Sequence, residues 1–256
     1  MTNHLLSFRF IRVWQRNRDV FLRLWKTEFA SALAEPIVVL LAMGLGLGGL
    51  VGLISGQNYL QFIAPGILAS YVMFSATFEC TYGTFIRMEH QRTFDAIIAT
   101  PVNIEDVITG EISWAATRSL ITAASILIIL FFFGLIDSLW VLWLLPLSFL
   151  SGFMFGSMAM FFTSLAPSIN SFNYYFTLFI TPMFFFSGVF FPLDSTPAFV
   201  QVAANFIPLT PSVLISRSVM QENLQASNFI QLAYMVFIAV AFFSASLVTM
   251  KKRLIK

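Results

Sequence analysis

The sequence predicts an all-α membrane protein with six transmembrane helices, built as a single domain over residues 1–256. Apolar residues make up 58% of the chain and charged residues only 10%, whereas soluble domains carry roughly 25% charged residues. The mean hydropathy is +0.85. Because so few charges cannot cover a surface that faces water, most of the surface of this protein must face lipid.

Six segments are long and apolar enough to cross a bilayer. A hydrocarbon core about 30 Å thick needs roughly 20 helical residues, and an open backbone in lipid leaves polar groups unsatisfied. We therefore expect six helices, approximately at 31–54, 62–85, 106–133, 139–165, 172–191 and 229–250.

The basic residues predict that both ends of the chain lie in the cytoplasm, because Lys and Arg are retained on that side. Six precede the first span, two lie between the second and third, and four follow the sixth. Six crossings place all twelve on one side. The other two of the 14 are Arg118, within a span, and Arg217, in the last external segment.

Residues 1–30 are basic and aromatic. Two sets of residues interleave at helical spacing: Phe10, Trp14, Phe21, Trp25 and Phe29 on one face, and Arg9, Arg12, Arg16 and Arg23 on another. This pattern is typical of a helix that lies in the membrane interface. The alternative is a basic tail that only sets orientation.

Glycines recur every four residues in the first span, at Gly44, Gly48, Gly52 and Gly56. Glycines on one helix face let a neighbouring backbone approach closely, and van der Waals contact is a main attraction between helices in lipid. We expect a packing seam here, either within one chain or between two.

The loop at 87–101 is charged at its start and apolar at Phe94, Ile97 and Ile98. A short amphipathic helix here could dock into a groove of a cytoplasmic partner, or it could rest on the membrane surface. The residues of interest are Arg87, Glu89, Arg92, Thr93, Phe94 and Asp95.

Residues 192–228 are too long for a hairpin and contain four prolines, which forbid one continuous span. Backbone at membrane depth that does not span must be buried in protein or line a cavity. We therefore expect two short re-entrant or interfacial helices on the external side, and a kink at Pro182 in the span before them. The predicted outer-gate residues are Pro182, Ser187, Gly188 and Pro192.

Four ionisable residues lie inside or near the predicted spans: Glu35 at the entry of the first span, and Glu79, Glu111 and Arg118 further inside. An uncompensated charge at the centre of a spanning helix costs about 2.5–3.5 kcal/mol, so each needs a partner. Glu111 and Arg118 share a helix face. Glu79 and Arg118 lie at equal depth on neighbouring spans, so we expect them to pair. A structural clamp and a proton relay are the two possible roles.

No segment matches the Gly-x-x-x-x-Gly-Lys-Ser/Thr phosphate loop or the His-Glu-x-x-His metal pair. The sequence predicts no catalytic residue, no metal site, no bound cofactor and no nucleic-acid partner. An ion-coupled secondary transporter would need more intramembrane charges, and a membrane enzyme would need a clustered acid, base or metal site. A structural assembly factor stays open. If this protein consumes energy, another chain must supply it.

Several motifs stand in order along most of the chain. They are Leu-Ala-Glu-Pro at 33–36, Ser-Ala-Thr-Phe-Glu at 75–79, Arg-Thr-Phe at 92–94, Gly-Glu-Ile-Ser-Trp-Ala-Ala at 110–116, Leu-Ala-Pro at 165–167 and Thr-Pro-Met-Phe-Phe-Phe-Ser-Gly-Val-Phe-Phe-Pro at 181–192. Together they resemble the permease subunits of the ABC-2 superfamily, and most closely the nodulation lipo-oligosaccharide exporter permeases (NodJ-like). The Ser-Gly-x-x-Phe-Pro ending looks like the ABC-2 signature.

The resemblance implies the ABC-2 exporter fold, a homodimer, and a separate NodI-like ABC ATPase chain that binds ATP and Mg. It implies that 87–101 is a coupling helix seated on that ATPase, in a bacterial inner membrane. It further implies export of an amphipathic or lipid-linked saccharide by alternating access. Other ABC-2 permeases export drugs or other hydrophobic compounds, so these are alternative cargoes, and ion-coupled transport is the more distant alternative.

Overall fold

The computed structural model describes residues 7–54, 56–136 and 138–254. Most of this is helical and the strands are few, which confirms the predicted all-α class. In the described ranges the strands are a two-residue antiparallel hairpin, β1 (Leu53–Ile54) and β2 (Gln57–Asn58), in which Leu53 pairs with Asn58.

The helices are, in chain order, α1 (Phe10–Gly46), α2 (Gly48–Val51), α3 (Tyr59–Phe78), α4 (Thr93–Ile98), α5 (Ile104–Phe132), α6 (Leu144–Leu165), α7 (Ser171–Tyr175), α8 (Thr181–Phe186), α9 (Ala198–Phe206), α10 (Leu209–Met220) and α11 (Ala226–Leu254). Two π turns, Glu79–Gly83 and Ile86–His90, continue α3 to His90. A third π turn, Phe176–Ile180, joins α7 to α8. Short 3₁₀ turns occur at Leu139–Trp143, before α6, and at Leu193–Ser195.

In the described part of the chain, five helical segments are long and apolar enough to cross a membrane, and six if α9 and α10 together count as one span. The five are Ala34–Val51, Tyr59–His90, Ile104–Phe132, Leu139–Leu165 and Ala226–Leu254. The helices α9 and α10 meet at 94°, in the segment where sequence predicts two short re-entrant helices.

The segment predicted as the fifth span, 172–191, differs from the expectation. Its helix begins at Ser171 and ends at Phe186, which is shorter than the roughly 20 residues that a full crossing needs. Gly188 adopts a left-handed backbone conformation, with φ of 80°, so the chain turns away just after Phe186.

The basic segment and the first span form one helix, where the sequence predicts an interfacial helix followed by a separate span. No glycine or proline lies between Phe10 and Glu35 to end a helix there, and α1 continues through Pro36 to Gly46. The side chains of 28–33 lie outside the described residues.

The predicted helical packing face of glycines does not extend to Gly52 and Gly56. Gly52 precedes β1 and Gly56 lies in the turn between β1 and β2. Their φ values are 69° and 80°, so they serve turns that need a left-handed backbone. A Cβ at Gly44 would lie 2.6 Å from Cδ1 of Leu60, so α1 approaches α3 closely there. A Cβ at Gly48 would meet no neighbouring side chain or helix within 4 Å, and a contact between two chains at Gly48 stays a prediction.

The helix α3 lies at the centre of the bundle and packs against α1, α5, α6 and α10. The helix α6 packs between α5 and α11. The chain segments predicted to be cytoplasmic meet at one end of this bundle. There the Ser7 backbone N–H donates to Asp106 (3.1 Å), and Arg9 bonds the Pro101 carbonyl. The last turn of α11 contacts both Glu89 and Glu105. Which side of the membrane holds this end stays a prediction.

Candidate functional site

Five charged residues from three helical segments meet inside the bundle near that end. They are Arg16 of α1, Glu79 and Arg87 of the π turns after α3, and Glu111 and Arg118 of α5. We call these five residues the buried ion network. It brings together the three intramembrane residues predicted from the sequence and two arginines that were assigned elsewhere.

Glu79 joins two arginines. Its Oε2 accepts a hydrogen bond from Arg118 Nη1 at 2.6 Å, and its Oε1 lies 2.7 Å from Arg87 Nη2. The Glu79 side chain is only 4% exposed. The predicted contact between Glu79 and Arg118 is therefore present. Breaking a buried pair by removing one partner destabilises a protein by about 3–5 kcal/mol, because the other charge is left uncompensated.

Glu111 is fully buried and has a different set of partners. Its Oε2 lies 2.5 Å from Arg87 Nη2, and its Oε1 accepts from Asn17 Nδ2 at 3.0 Å and lies 3.6 Å from Arg16 Nη2. Although Glu111 and Arg118 share a helix, they pair with different residues. Arg87 is the residue that links the two carboxylates.

The π turns place Arg87 in the network. A π turn inserts an extra residue into the α-helical register and so changes the face on which later residues lie. Two such turns stand between Phe78 and Gln91. Gly83 lies beneath the pair, where a Cβ would be 3.4 Å from both Arg87 Nη1 and Glu79 Oε1. Arg87, predicted to belong to the coupling loop, is mostly buried, and α-helical periodicity alone could not have shown this.

The first helix is held on α5 by aromatic contacts. Trp14 Nε1 donates to Thr117 Oγ1 at 2.9 Å, and Trp114 packs edge-on against both Trp14 and Phe21. A Cβ at Gly110 would lie 2.6 Å from Val13 Cβ, so the two backbones approach closely. This part of the aromatic face therefore packs against protein rather than lipid. An interfacial position for the rest of the segment stays a prediction.

Arg16 and Asn17 extend the network into α1. Burial lowers the pKa of the Arg16 guanidinium, while the Glu111 carboxylate raises it. Arginine still stays charged at neutral pH. A cavity of about 430 Å³ opens beside the network between α1, α3 and α5. Its lining includes Arg16, Asn17, Phe21, Glu79, Arg87 and Arg118. Charged side chains here have space in which to change partners.

The loop helix α4 turns its apolar face to its own bundle. Phe94 is fully buried, and Ile97 and Ile98 pack against the core. Phe94 is therefore not free to dock into a partner's groove, while docking of the loop on a partner stays a prediction. Arg92 and Asp95 stay exposed and lie 3.5 Å apart, with Arg92 at φ 52° before the helix. Thr93 lines the cavity. Because Arg92 and Asp95 are the exposed residues, a partner would meet this polar face of α4.

The predicted outer-gate residues lie at the opposite end of the bundle. Ser187 is fully buried, and the Gly188 carbonyl accepts from Arg217 Nη2 at 2.9 Å. Pro182 follows the third π turn and lies in the first turn of α8. Pro192 precedes the turn Leu193–Ser195. A gating role for them stays a prediction.

Arg217 belongs to this end and was not among the predicted gate residues. Its guanidinium also reaches the Phe62 carbonyl at 3.4 Å and lies over the Phe62 ring, 4.0 Å from its centroid. It therefore joins α10 to α3 and to the turn at Gly188. The sequence carried a signal for Arg217, because it is the one basic residue in the segment predicted to be external.

A helical bundle with several candidate spans, a buried ion network and broken helices at one end is the architecture of a multi-pass membrane protein. The family model described as "ABC-2 type transporter" matches residues 9–221, and this chain belongs to that family. It is a transport permease, and ABC-2 permeases work with an ABC ATPase partner.

Curated relatives cover most of the chain. Nodulation protein J of Rhizobium leguminosarum bv. trifolii is 40% identical over 214 residues, which are 84% of this chain and 82% of that protein. Nodulation protein J of Sinorhizobium fredii is 34% identical over 248 residues, 97% and 95% of the two chains. The inner membrane transport permease YadH of Escherichia coli is 24% identical over 207 residues, 80% of each chain.

Proposed function

We propose that this chain is the permease subunit of an ATP-driven exporter, acting as a homodimer with a separate NodI-like ATPase. It moves an amphipathic or lipid-linked saccharide outwards across a bacterial inner membrane by alternating access. Both ends and the 87–101 loop face the cytoplasm. ATP and Mg bind to the partner, which fits the lack of a phosphate loop in this sequence.

The observation that carries this proposal is the position of Arg87. It stands at the start of the loop and contacts Glu79 and Glu111, which pair in turn with Arg118 and Arg16. The described network thereby ties the loop to α1, α3 and α5. Charge pairs are strong where water is excluded, so a push on the loop moves these helices together. An ATPase seated on the polar face of α4 would deliver that push.

The cargo proposal rests on the relatives named nodulation protein J and on the resemblance to lipo-oligosaccharide exporters. The aromatic surface between α3 and α7–α8 agrees with an amphipathic cargo. Phe78 stacks on Phe176 with ring centroids 4.5 Å apart, and about half of Phe78 is exposed. Such a surface suits lipid contact and hydrophobic drugs as well, so drugs remain the second candidate cargo.

Co-expression with a NodI-like ABC ATPase tests the proposal. We expect the two chains to co-purify in mild detergent. In proteoliposomes, a lipo-oligosaccharide should stimulate ATP hydrolysis and be moved across the bilayer. A Walker-lysine variant of the ATPase is the control. Stimulation by hydrophobic drugs alone would contradict the saccharide cargo, and failure of any ATPase to bind would contradict the exporter.

A further inference from the structure

The last turn of α11 touches both ends of the loop region. Lys251 Nζ lies 2.6 Å from Glu105 Oε1, at the start of α5. Arg253 Nη2 donates to Glu89 Oε1 at 2.9 Å, at the start of the loop. Lys252, between them, is exposed, and its side chain has no hydrogen bond or ion pair with any described residue.

Arg253 is anchored on its other side. Its Nη1 donates to the carbonyls of Thr163 and Ala166, both at 2.7 Å, and lies 3.3 Å from that of Ser164. These carbonyls close the C-terminal end of α6, where the helix dipole favours a cation. The planar guanidinium presents several donors in a fixed fork. One side chain therefore holds the end of α6 and Glu89 at a set distance.

We propose that Arg253 is a positioning residue that fixes the start of the loop 87–101 against α6 and α11, while Lys251 holds α11 to the start of α5, just after the loop. This inference rests on the proposed function, because the loop is the site at which the ATPase would act. The buried ion network ties the loop to α1, α3 and α5 only. The last turn of α11 adds the connection to α6 and α11, so a push on the loop reaches the whole bundle. The last turn of α11 lies beyond residue 221, where the family match ends.

Three variants separate this role from simple stability. Glu89→Gln breaks the link to the loop but keeps the carbonyl contacts of Arg253. Arg253→Met removes both the link to Glu89 and the carbonyl contacts. Arg253→Lys keeps the charge but lacks the planar guanidinium. Lys252→Gln is the matched control on the same turn. The readouts are saccharide transported per ATP hydrolysed and the melting temperature in detergent.

We expect the transport-to-ATP ratio to fall about threefold in Glu89→Gln, in keeping with a half-exposed ion pair, at an unchanged melting temperature. Arg253→Met should lower the ratio by about tenfold, because charge-assisted bonds to carbonyls are lost as well. Arg253→Lys should recover part of it, and Lys252→Gln should match the wild type. A wild-type ratio in both Glu89→Gln and Arg253→Met would overturn the inference.

A second measurement needs no ATPase. Spin labels at Ala96→Cys on α4 and Ser168→Cys after α6 report the position of the loop, and the single native Cys80 is fully buried. The distance distribution should broaden in Glu89→Gln and in Arg253→Met but not in Lys252→Gln. An unchanged distribution in both overturns the inference while leaving the exporter standing. A broadened distribution without any ATPase binding overturns the exporter while the positioning of the loop stands.

Discussion

Arg118 Nη1 on α5 lies 2.6 Å from Glu79 Oε2 on the turn that follows α3, and the Glu79 side chain is 4% exposed. The two residues are 39 positions apart in the chain and form the pair that the sequence analysis predicts. Arg87 completes the arrangement by contacting both Glu79 and Glu111. The central functional claim is that these contacts carry motion from the loop to the spanning helices.

Charge reversal tests the Glu79–Arg118 pair. Glu79→Arg and Arg118→Glu should each lower the free energy of unfolding by about 3–5 kcal/mol, because each leaves buried charges uncompensated. The double reversal should recover part of this loss, and only part, since Arg87 also contacts position 79. Thermal unfolding in detergent gives the coupling energy. Reversing the exposed pair Arg18–Asp19 is the control, with an expected effect of about 0–1 kcal/mol. Strictly additive single effects would contradict the pairing.

Arg87→Lys tests whether the bridge needs a guanidinium. A lysine ammonium keeps the charge but lacks the planar fork, so it should hold only one of Glu79 and Glu111. We expect a loss of about 1–3 kcal/mol in the free energy of unfolding, typical of a buried polar group left unsatisfied. Arg92→Lys, at an exposed position in the loop, is the matched control and should leave stability unchanged. Equal stability of both variants would show that the bridge does not need a guanidinium.

Gly110→Ala tests the approach of α1 to α5. The new methyl group would lie 2.6 Å from Val13 Cβ and 2.8 Å from the Phe10 carbonyl oxygen, so α1 must move. Overpacking of this kind costs about 1–3 kcal/mol. Gly156→Ala is the control, because its nearest neighbours would be 3.4 Å away. We expect a lower melting temperature and altered Trp14 and Trp114 fluorescence in the first variant only. Identical spectra in both would argue against this close contact.

Arg217→Met tests the other end of the bundle. The Gly188 carbonyl would lose its donor from α10, and an unsatisfied buried acceptor costs about 1–3 kcal/mol. Amide hydrogen exchange should speed up in 187–192 and stay unchanged in 87–101. Arg23→Met, at an exposed position on α1, is the control. Faster exchange across the whole chain would mean general destabilisation rather than release of this turn.

The fold class was predictable because it follows from composition and hydropathy, which hold over long segments. The short helices after span five were also predictable, since four prolines in an apolar segment leave few other structures. The Glu79–Arg118 contact followed from membrane depth alone, because a charge in lipid must find a partner near its own level. These inferences use average properties and tolerate errors of a few residues.

What the sequence could not show depends on register and on local turns. Two π turns bring Arg87 into the network, and a helical periodicity of 3.6 residues cannot account for them. The spacing of Gly52 and Gly56 looked helical, although both residues adopt left-handed turn conformations. The apolar residues of α4 suggested a partner's groove, while the chain's own core buries Phe94. In each case tertiary contacts decided between structures that the pattern allowed equally.

The most direct test of the central claim measures transport and ATP hydrolysis together in proteoliposomes holding the permease and its ATPase. Arg87→Lys is compared with the wild type and with Arg92→Lys. We predict that Arg87→Lys binds the ATPase and hydrolyses ATP at a near wild-type rate, but moves far less saccharide per ATP. Arg87→Lys moving as much saccharide per ATP as the wild type would contradict the claim that the buried ion network transmits motion from the loop.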